Sequence, residues 1–186
     1  MRIISGYLRG RKIGQPNNKY TRPLKDLTKE SIFNILEHSN LINFNLQKSK
    51  ILDLFSGVGS FGLECLSRGA ENVVFFENYP ETLKILKKNI IDLSCQSKTQ
   101  VVKENIFNIK NLNQFYKKKF EVIFLDPPFK EKRLVNLLDD IMSLKLLKNN
   151  GIIIIHRHKK EKEIYPKKFK ILKIKTYGIS KIIYGN

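Results

Sequence analysis

The sequence predicts an α/β protein with a doubly wound, mostly parallel sheet, helices on both faces and an antiparallel hairpin closing the C-terminus. Three observations predict it. Short apolar runs alternate with amphipathic helical stretches between residues 50 and 157, and the first run ends in a glycine-rich turn that opens a helix. After residue 165 the pattern changes to two strand-like pieces with no helix between them.

The elements follow in order. "RIISGYLRGRK" alternates apolar and basic residues around Gly6 and Gly10, which predicts a small hairpin with a basic face, and "TRPLKDLTKESIFNIL" supplies a helix leading to the core. "KILDLF" (50–55), "NVVFFE" (72–77), a weaker "TQVVK" (99–103), "EVIFLD" (121–126) and "GIIIIHR" (151–157) read as strands buried on both faces. Helical patterns lie between them: "SFGLECLSRG" closing on Gly69, "PETLKILKKNIIDLS" opening at Pro80, a short "NLNQFYKKK", and "EKRLVNLLDDIMSLKLLKN" ending before Gly151. "FKILKIKTYG" and "SKIIYG" make the closing hairpin. No repeat or low-complexity linker divides the chain, so 1–186 is expected to be one domain, with 1–38 an extension and 39–186 the core.

Composition narrows the function classes. The longest strongly apolar runs, "GIIII" and "VIFL", are too short to cross a membrane, and the basic N-terminus has no apolar signal-type segment; a cytoplasmic protein is the expectation. Cys65 and Cys95 belong to no metal or disulfide pattern. Lys plus Arg number 35 against 17 Asp plus Glu, a formal charge of +18, which favours a polyanionic partner, nucleic acid first. Part of that excess is compositional drift in a chain rich in Lys, Asn and Ile. The scarce arginines are the cleaner signal, and Arg2, Arg9 and Arg11 fall in the first eleven residues. With Lys12 and Arg22 they are the candidate nucleic-acid contacts.

In such sheets ligands bind beyond the carboxyl ends of the strands, where the strand order reverses. The first strand ends in "DLFSGVGSFG" (53–62), which sets Gly57, Gly59 and Gly62 in the spacing G-x-G-x-x-G. Glycines there let the backbone turn tightly and approach a ligand, and Glu77, about 20 residues on, stands where a carboxylate accepts ribose hydroxyls. The combination predicts a nucleoside cofactor, held by Asp53, Phe55, the three glycines and Glu77. A dinucleotide and S-adenosylmethionine both remain open. Asp53 favours the second, since it would repel a pyrophosphate and attract a methionine ammonium.

The fourth strand decides between them. Its end, "DPPF" (126–129), resembles the D/N-P-P-Y/F signature of methyltransferases that act on amino groups conjugated to a ring or carbonyl. An exocyclic amine is a poor nucleophile, so such an enzyme has to supply position and proton acceptors. Asp126 and the carbonyl of Pro127 would accept the amine protons, and Phe129 would stack on the base.

From end to end the chain then resembles the RsmD family, bacterial methyltransferases that modify the N2 amine of one guanine in small-subunit ribosomal RNA. The resemblance is carried by "MRIISGYLRGRKI", "TRP" with "ESIFNIL", "ILDLFSGVGSFGLECLSRGA", "VFFE", "VIFLDPPF" and the final "YG" with Tyr184. It implies a Rossmann-like S-adenosylmethionine-dependent methyltransferase fold, that cofactor as donor, and a monomer acting on small-subunit ribosomal RNA within an assembly intermediate or subunit. It also implies an acceptor for the cofactor's adenine amine after the third strand. Here that position reads as Asn105 in place of the family's Asp, with Glu104 the alternative if the register shifts by one. Leu24 and Leu27 replace a Thr and an Arg of the family pattern, and "HRH" (156–158) stands where the family carries a Glu. Two other readings compete: an amino-methyltransferase acting on DNA or a protein amide, and a non-catalytic RNA-binding relative.

The remaining features receive plainer expectations. His156 and His158 share one side of a strand end, but with no third ligand nearby a solvated terminus or basic rim is expected, and no metal site. "YKKKF" (116–120) and "YPKKFK" (165–170) read as basic faces, and Glu64 as a surface or helix-pairing residue.

Overall fold

The computed structural model describes every residue except 17–23, 25, 40–44, 117 and the side chain of Ile109. Seven strands form one sheet: β1 (Lys50–Leu54), β2 (Asn72–Phe76), β3 (Thr99–Val102), β4 (Phe120–Leu125), β5 (Leu147–His158), β6 (Ile171–Tyr177) and β7 (Ser180–Gly185). Their order is β3-β2-β1-β4-β5-β7-β6, with β1 to β5 parallel and β7 antiparallel to both its neighbours. The order reverses between β1 and β4, which leaves a crevice at their carboxyl ends, where Leu54 pairs with Leu125.

Alternation along the strands builds two cores. On one face Ile51, Val73, Phe75, Val122, Phe124, Ile152 and Ile154 pack with α1 (Asp26–His38), α2 (Ser60–Ser67) and α3 (Pro80–Asp92). On the other, Leu52, Leu54, Val74, Phe76, Ile123, Leu125, Ile153 and Ile155 pack with α4 (Ile109–Asn113) and α5 (Leu134–Ser143). None of the helices among the described residues is long and apolar enough to cross a membrane.

The expected doubly wound sheet and closing hairpin are present, and the differences lie at element ends. Residues 147–149, expected in the helix that ends before Gly151, extend β5 instead, past an irregularity opposite Phe120 and Val122. A bridge takes them there: Lys148 pairs with Glu121, whose other oxygen accepts the Lys50 amide at 2.7 Å. The short helix expected at 111–119 is α4, displaced toward Ile109 because Asn108 caps its first turn through Lys110 N.

The N-terminal hairpin is loose in ladder terms, with one bridge between Arg2 and Lys12, yet firmly docked. Ile3, Leu8 and Ile13 are buried in the α2/α3 core, and Gly6, at φ +82, lies so close to Ser67 that an added Cβ would meet its carbonyl oxygen at 1.8 Å. Glu64, read from the sequence as a surface or helix-pairing residue, is fully buried beneath the hairpin and pairs α2 with α1. Its carboxylate accepts the amides of Ile4 (2.8 Å) and Ser5 (2.9 Å) and the Arg68 Nε–H (3.0 Å), and lies 3.4 Å from the Nζ of Lys29. Lys29, equally buried, also donates to the Arg2 carbonyl at 2.8 Å, and burial lowers its pKa.

Candidate active site

At the end of β1 the chain turns sharply. Phe55 adopts φ +62, a left-handed conformation uncommon for a non-glycine residue, and Gly57 and Gly59 follow at +56 and +86. Ser56 anchors the turn, its amide donating to the Phe76 carbonyl at 2.9 Å and its hydroxyl lying 2.6 Å from the Asp53 carbonyl. Gly62 is required for packing: an added Cβ would lie 2.3 Å from the ring of Phe75.

Asp53 is buried, and its Oδ2 accepts the Gly62 amide at 3.0 Å, serving a donor in the first turn of α2. Its Oδ1 has no hydrogen-bond partner among the described residues. Burial, reinforced by the charges of Asp126 and Glu77, raises its pKa well above the ordinary carboxylate range despite the Gly62 bond. Glu77 closes the other side, with Oε2 accepting the Gly57 amide and Oε1 the Tyr79 amide, both at 2.8 Å; burial raises its pKa as well. Three carboxylates at one crevice, with Asp53 feeling the charges of the other two and keeping an orphaned buried oxygen, suit a cationic ligand and oppose a pyrophosphate. No group of His, Cys, Asp and Glu among the described residues could hold a metal.

Asn105 is exposed, and its Oδ1 accepts the Phe107 amide at 3.0 Å; Glu104 is exposed beside it. The Phe107 ring lies 5.7 Å from Phe55 and is covered by the Arg133 guanidinium at 3.8 Å. These rings wall the crevice on the side of β3 and α5.

Across the crevice Asp126 ends β4. The β4–β5 register, Val122 to Ile152 through Leu125 to Ile155, carries on to set Asp126 beside His156, and His156 Nδ1 lies 2.8 Å from Asp126 Oδ1. A carboxylate only accepts, so Nδ1 carries the proton, while Nε2 meets the Ser180 hydroxyl at 2.9 Å. The expectation of a solvated His156 is therefore corrected: the ring is buried between β4 and β7 and orients Asp126. Asp126 Oδ2 has no hydrogen bond among the described residues and is the oxygen left for a ligand. Phe129 packs edge-on against His156 (5.8 Å) and His158 (5.3 Å). Arg157, on the opposite face of β5 and almost completely buried, donates to the carbonyls of Pro128 (3.0 Å) and Glu131 (3.1 Å) and so fixes the loop that follows Asp126.

Asp53, Phe55, Gly57, Gly59, Gly62, Glu77, Asp126, Pro127 and Phe129 thus gather at one end of the sheet, with Asn105 at its margin. Arg2 is 4.0 Å from Asp26, Arg11 donates to the Asp92 carbonyl at 2.7 Å, and Arg9 and Lys12 are exposed. Arg22 lies outside the described residues. Sequence reasoning missed His156, Ser180 and Arg157; the signal available was the polar triplet that ends the four-isoleucine run.

Comparison with known proteins follows the same lines. A family described as "Conserved hypothetical protein 95" matches residues 1–186. Ribosomal RNA small subunit methyltransferase D of Haemophilus influenzae is 36% identical over 184 residues, covering 96% of this chain and 90% of that protein. The protein of the same name from Buchnera aphidicola (Acyrthosiphon pisum) is 33% identical, covering 93% and 86%. Among solved structures, a Haemophilus influenzae protein described as a methylase superposes with TM-score 0.73 at 32% identity, covering 100% of this chain and 97% of that one. The rRNA methyltransferase of Streptomyces viridochromogenes shares the fold alone, at TM-score 0.69 and 12% identity over 91% of this chain and 87% of that one.

Proposed function

Because the chain belongs to the conserved hypothetical protein 95 family, the RsmD family, we propose that it methylates the exocyclic N2 amine of a guanine in small-subunit ribosomal RNA. Ribosomal RNA methylation is the activity carried by the names of its relatives; the guanine N2 atom is the finer reading. The observation that carries it is Asp126, aimed by His156 at 2.8 Å with one oxygen uncommitted at the mouth of the crevice.

S-adenosylmethionine is the cofactor, and when bound it would supply an electrophilic methyl group. The residues present fit it. Asp53 Oδ1, buried and unpartnered, would satisfy itself on the ammonium; Glu77 would accept the ribose hydroxyls; Asn105 would meet the adenine amine, with Phe55 and Phe107 along the ring. The glycine turn lets the backbone approach closely.

Asp126 Oδ2 and the Pro127 carbonyl accept the two protons of the guanine amine and turn its lone pair toward the methyl group. As positive charge develops on nitrogen, the carboxylate stabilises it and takes the departing proton. His156 does not touch the substrate; its Nδ1–H holds Oδ1, so the carboxylate presents Oδ2 in one orientation. Phe129, braced on two imidazoles, stacks on the extruded base, a contact worth about 1–3 kcal/mol. The chain works as a cytoplasmic monomer, on RNA within an assembling or complete small subunit, and the hairpin residues Arg2, Arg9, Arg11 and Lys12, together with Arg22, add phosphate contacts.

The test is transfer of labelled methyl from S-adenosylmethionine to small-subunit RNA, with Asp126→Ala alongside. The variant is expected to lose roughly 10²–10⁴ in turnover while cofactor affinity changes little. Near-normal turnover would reduce Asp126 to a strand cap.

A further inference from the structure

We infer that the loops after β4 and β5 form one lysine rim that grips the RNA backbone next to the target nucleotide, an assignment that rests on the methyltransferase reading above. Arg157 joins the two loops. From β5 it reaches forward to the Pro128 and Glu131 carbonyls of one loop, pairs with Glu163 of the other and lies 3.9 Å from Glu161. A guanidinium that is 2% exposed and holds both segments makes them a single body.

The charges of that body are sorted. Its acids face inward or pair locally: Glu161 and Glu163 lie against Arg157, Glu163 also accepts the Tyr165 hydroxyl at 2.7 Å, and Glu131 binds Arg133 at 2.7 and 2.8 Å. Lys130, Lys132, Lys159, Lys160 and Lys162 are all exposed, and among the described residues none of them forms a salt bridge. A run that reads as mixed charge in sequence therefore presents mainly positive charge to solvent, with Glu161 the acid of the run left most exposed.

Its place decides its partner. Lys130 follows Asp126 by four residues and Lys159 follows His156 by three, so the rim borders the point where a base would meet Phe129. Arg11, by contrast, bonds Asp92 at the far end of α3, a helix of 13 residues and about 20 Å that begins at the cofactor end. A strand delivering a nucleotide to Phe129 meets the rim before it meets the hairpin tip, and its phosphates are the anions within reach.

The experiment compares the full chain with a variant carrying Lys→Gln at 130, 132, 159, 160 and 162, and with Arg9, Arg11 and Lys12 changed to Gln. Calorimetric binding of S-adenosylmethionine, expected unchanged, first establishes that each variant is folded. Affinity for a small-subunit RNA fragment is then measured across a potassium chloride series. Each phosphate contact contributes a log–log slope of about 0.7–0.9, so loss of two or more rim contacts flattens the slope by roughly 1.5–2, and the hairpin variant flattens it less. A rim variant with the wild-type slope, or a hairpin variant that flattens it more, overturns the assignment. If the wild-type chain neither binds nor methylates the RNA, the methyltransferase reading falls and the rim with it.

Discussion

Replacing Glu64 with Ala should destabilise the protein far more than an exposed-looking helix glutamate would suggest. The carboxylate is fully buried and serves the Ile4 and Ser5 amides and Arg68, and it is the counter-charge for an equally buried Lys29. Stranding a partly buried donor costs about 1–3 kcal/mol, and breaking a buried ion pair by removing one partner costs about 3–5 kcal/mol. These terms overlap, because Lys29 can shed its proton and the hairpin can lift away, so about 3 kcal/mol is a working lower figure. For a chain of this length that is a fall in Tm of roughly 6–12 °C. The control is Glu37→Ala, which removes a partly exposed partner of Arg68 at 2.8 Å and should cost about 0–1 kcal/mol. Urea and thermal unfolding of both variants measure the difference, and proteolysis within residues 1–16 reports hairpin release. If Glu64→Ala is no more costly than Glu37→Ala, the buried hub does not hold the hairpin.

Three further outcomes follow from the site. His156→Phe should lower turnover by roughly 10–100-fold with cofactor affinity intact, while His156→Asn, which keeps an N–H near Asp126, should stay within about threefold of wild type; equal losses in both would remove the orienting role. Burial holds Asp53 and Glu77 protonated to higher pH than usual, and a cation favours their ionised forms, so S-adenosylmethionine should release protons on binding. Its affinity should therefore rise with pH through that raised carboxyl range and weaken as pH falls through it. Calorimetry in buffers of different ionisation enthalpy checks this, and buffer-independent heats would refute it. Asn105→Asp should tighten the cofactor by up to about tenfold, about 1.4 kcal/mol, and Glu104→Ala should change little; the reverse pattern would make Glu104 the adenine contact.

The fold was legible where pattern is local. Unbroken apolar runs in "EVIFLD" and "GIIIIHR", and the glycine turn after "KILDLF", mark their own strands and their own break. The parts of the site that depend on one strand end were legible for the same reason: Glu77 and Asp126 each terminate an apolar run, and Asp53 interrupts one just before the glycine turn. What depends on two elements was not. His156 pairs with Asp126 only because β4 and β5 are in a register that neither strand encodes alone, and Ser180 joins them through a third strand. Glu64 sits in an apolar helix without visible reason until a hairpin from sixty residues earlier lays two amides on it. "FKEKR" and "HRHKKEKE" are mixed charge in one dimension, and only in the fold does Arg133 take Glu131 and Arg157 take Glu163, leaving the lysines outward.

The most direct test of the central claim is mass-spectrometric mapping of small-subunit ribosomal RNA from cells with and without this chain. The account predicts one guanine carrying an N2-methyl group in the first and none at that position in the second, restored by the wild-type chain and left unmethylated by Asp126→Ala. An unchanged map, or restoration by Asp126→Ala as complete as by wild type, would contradict it.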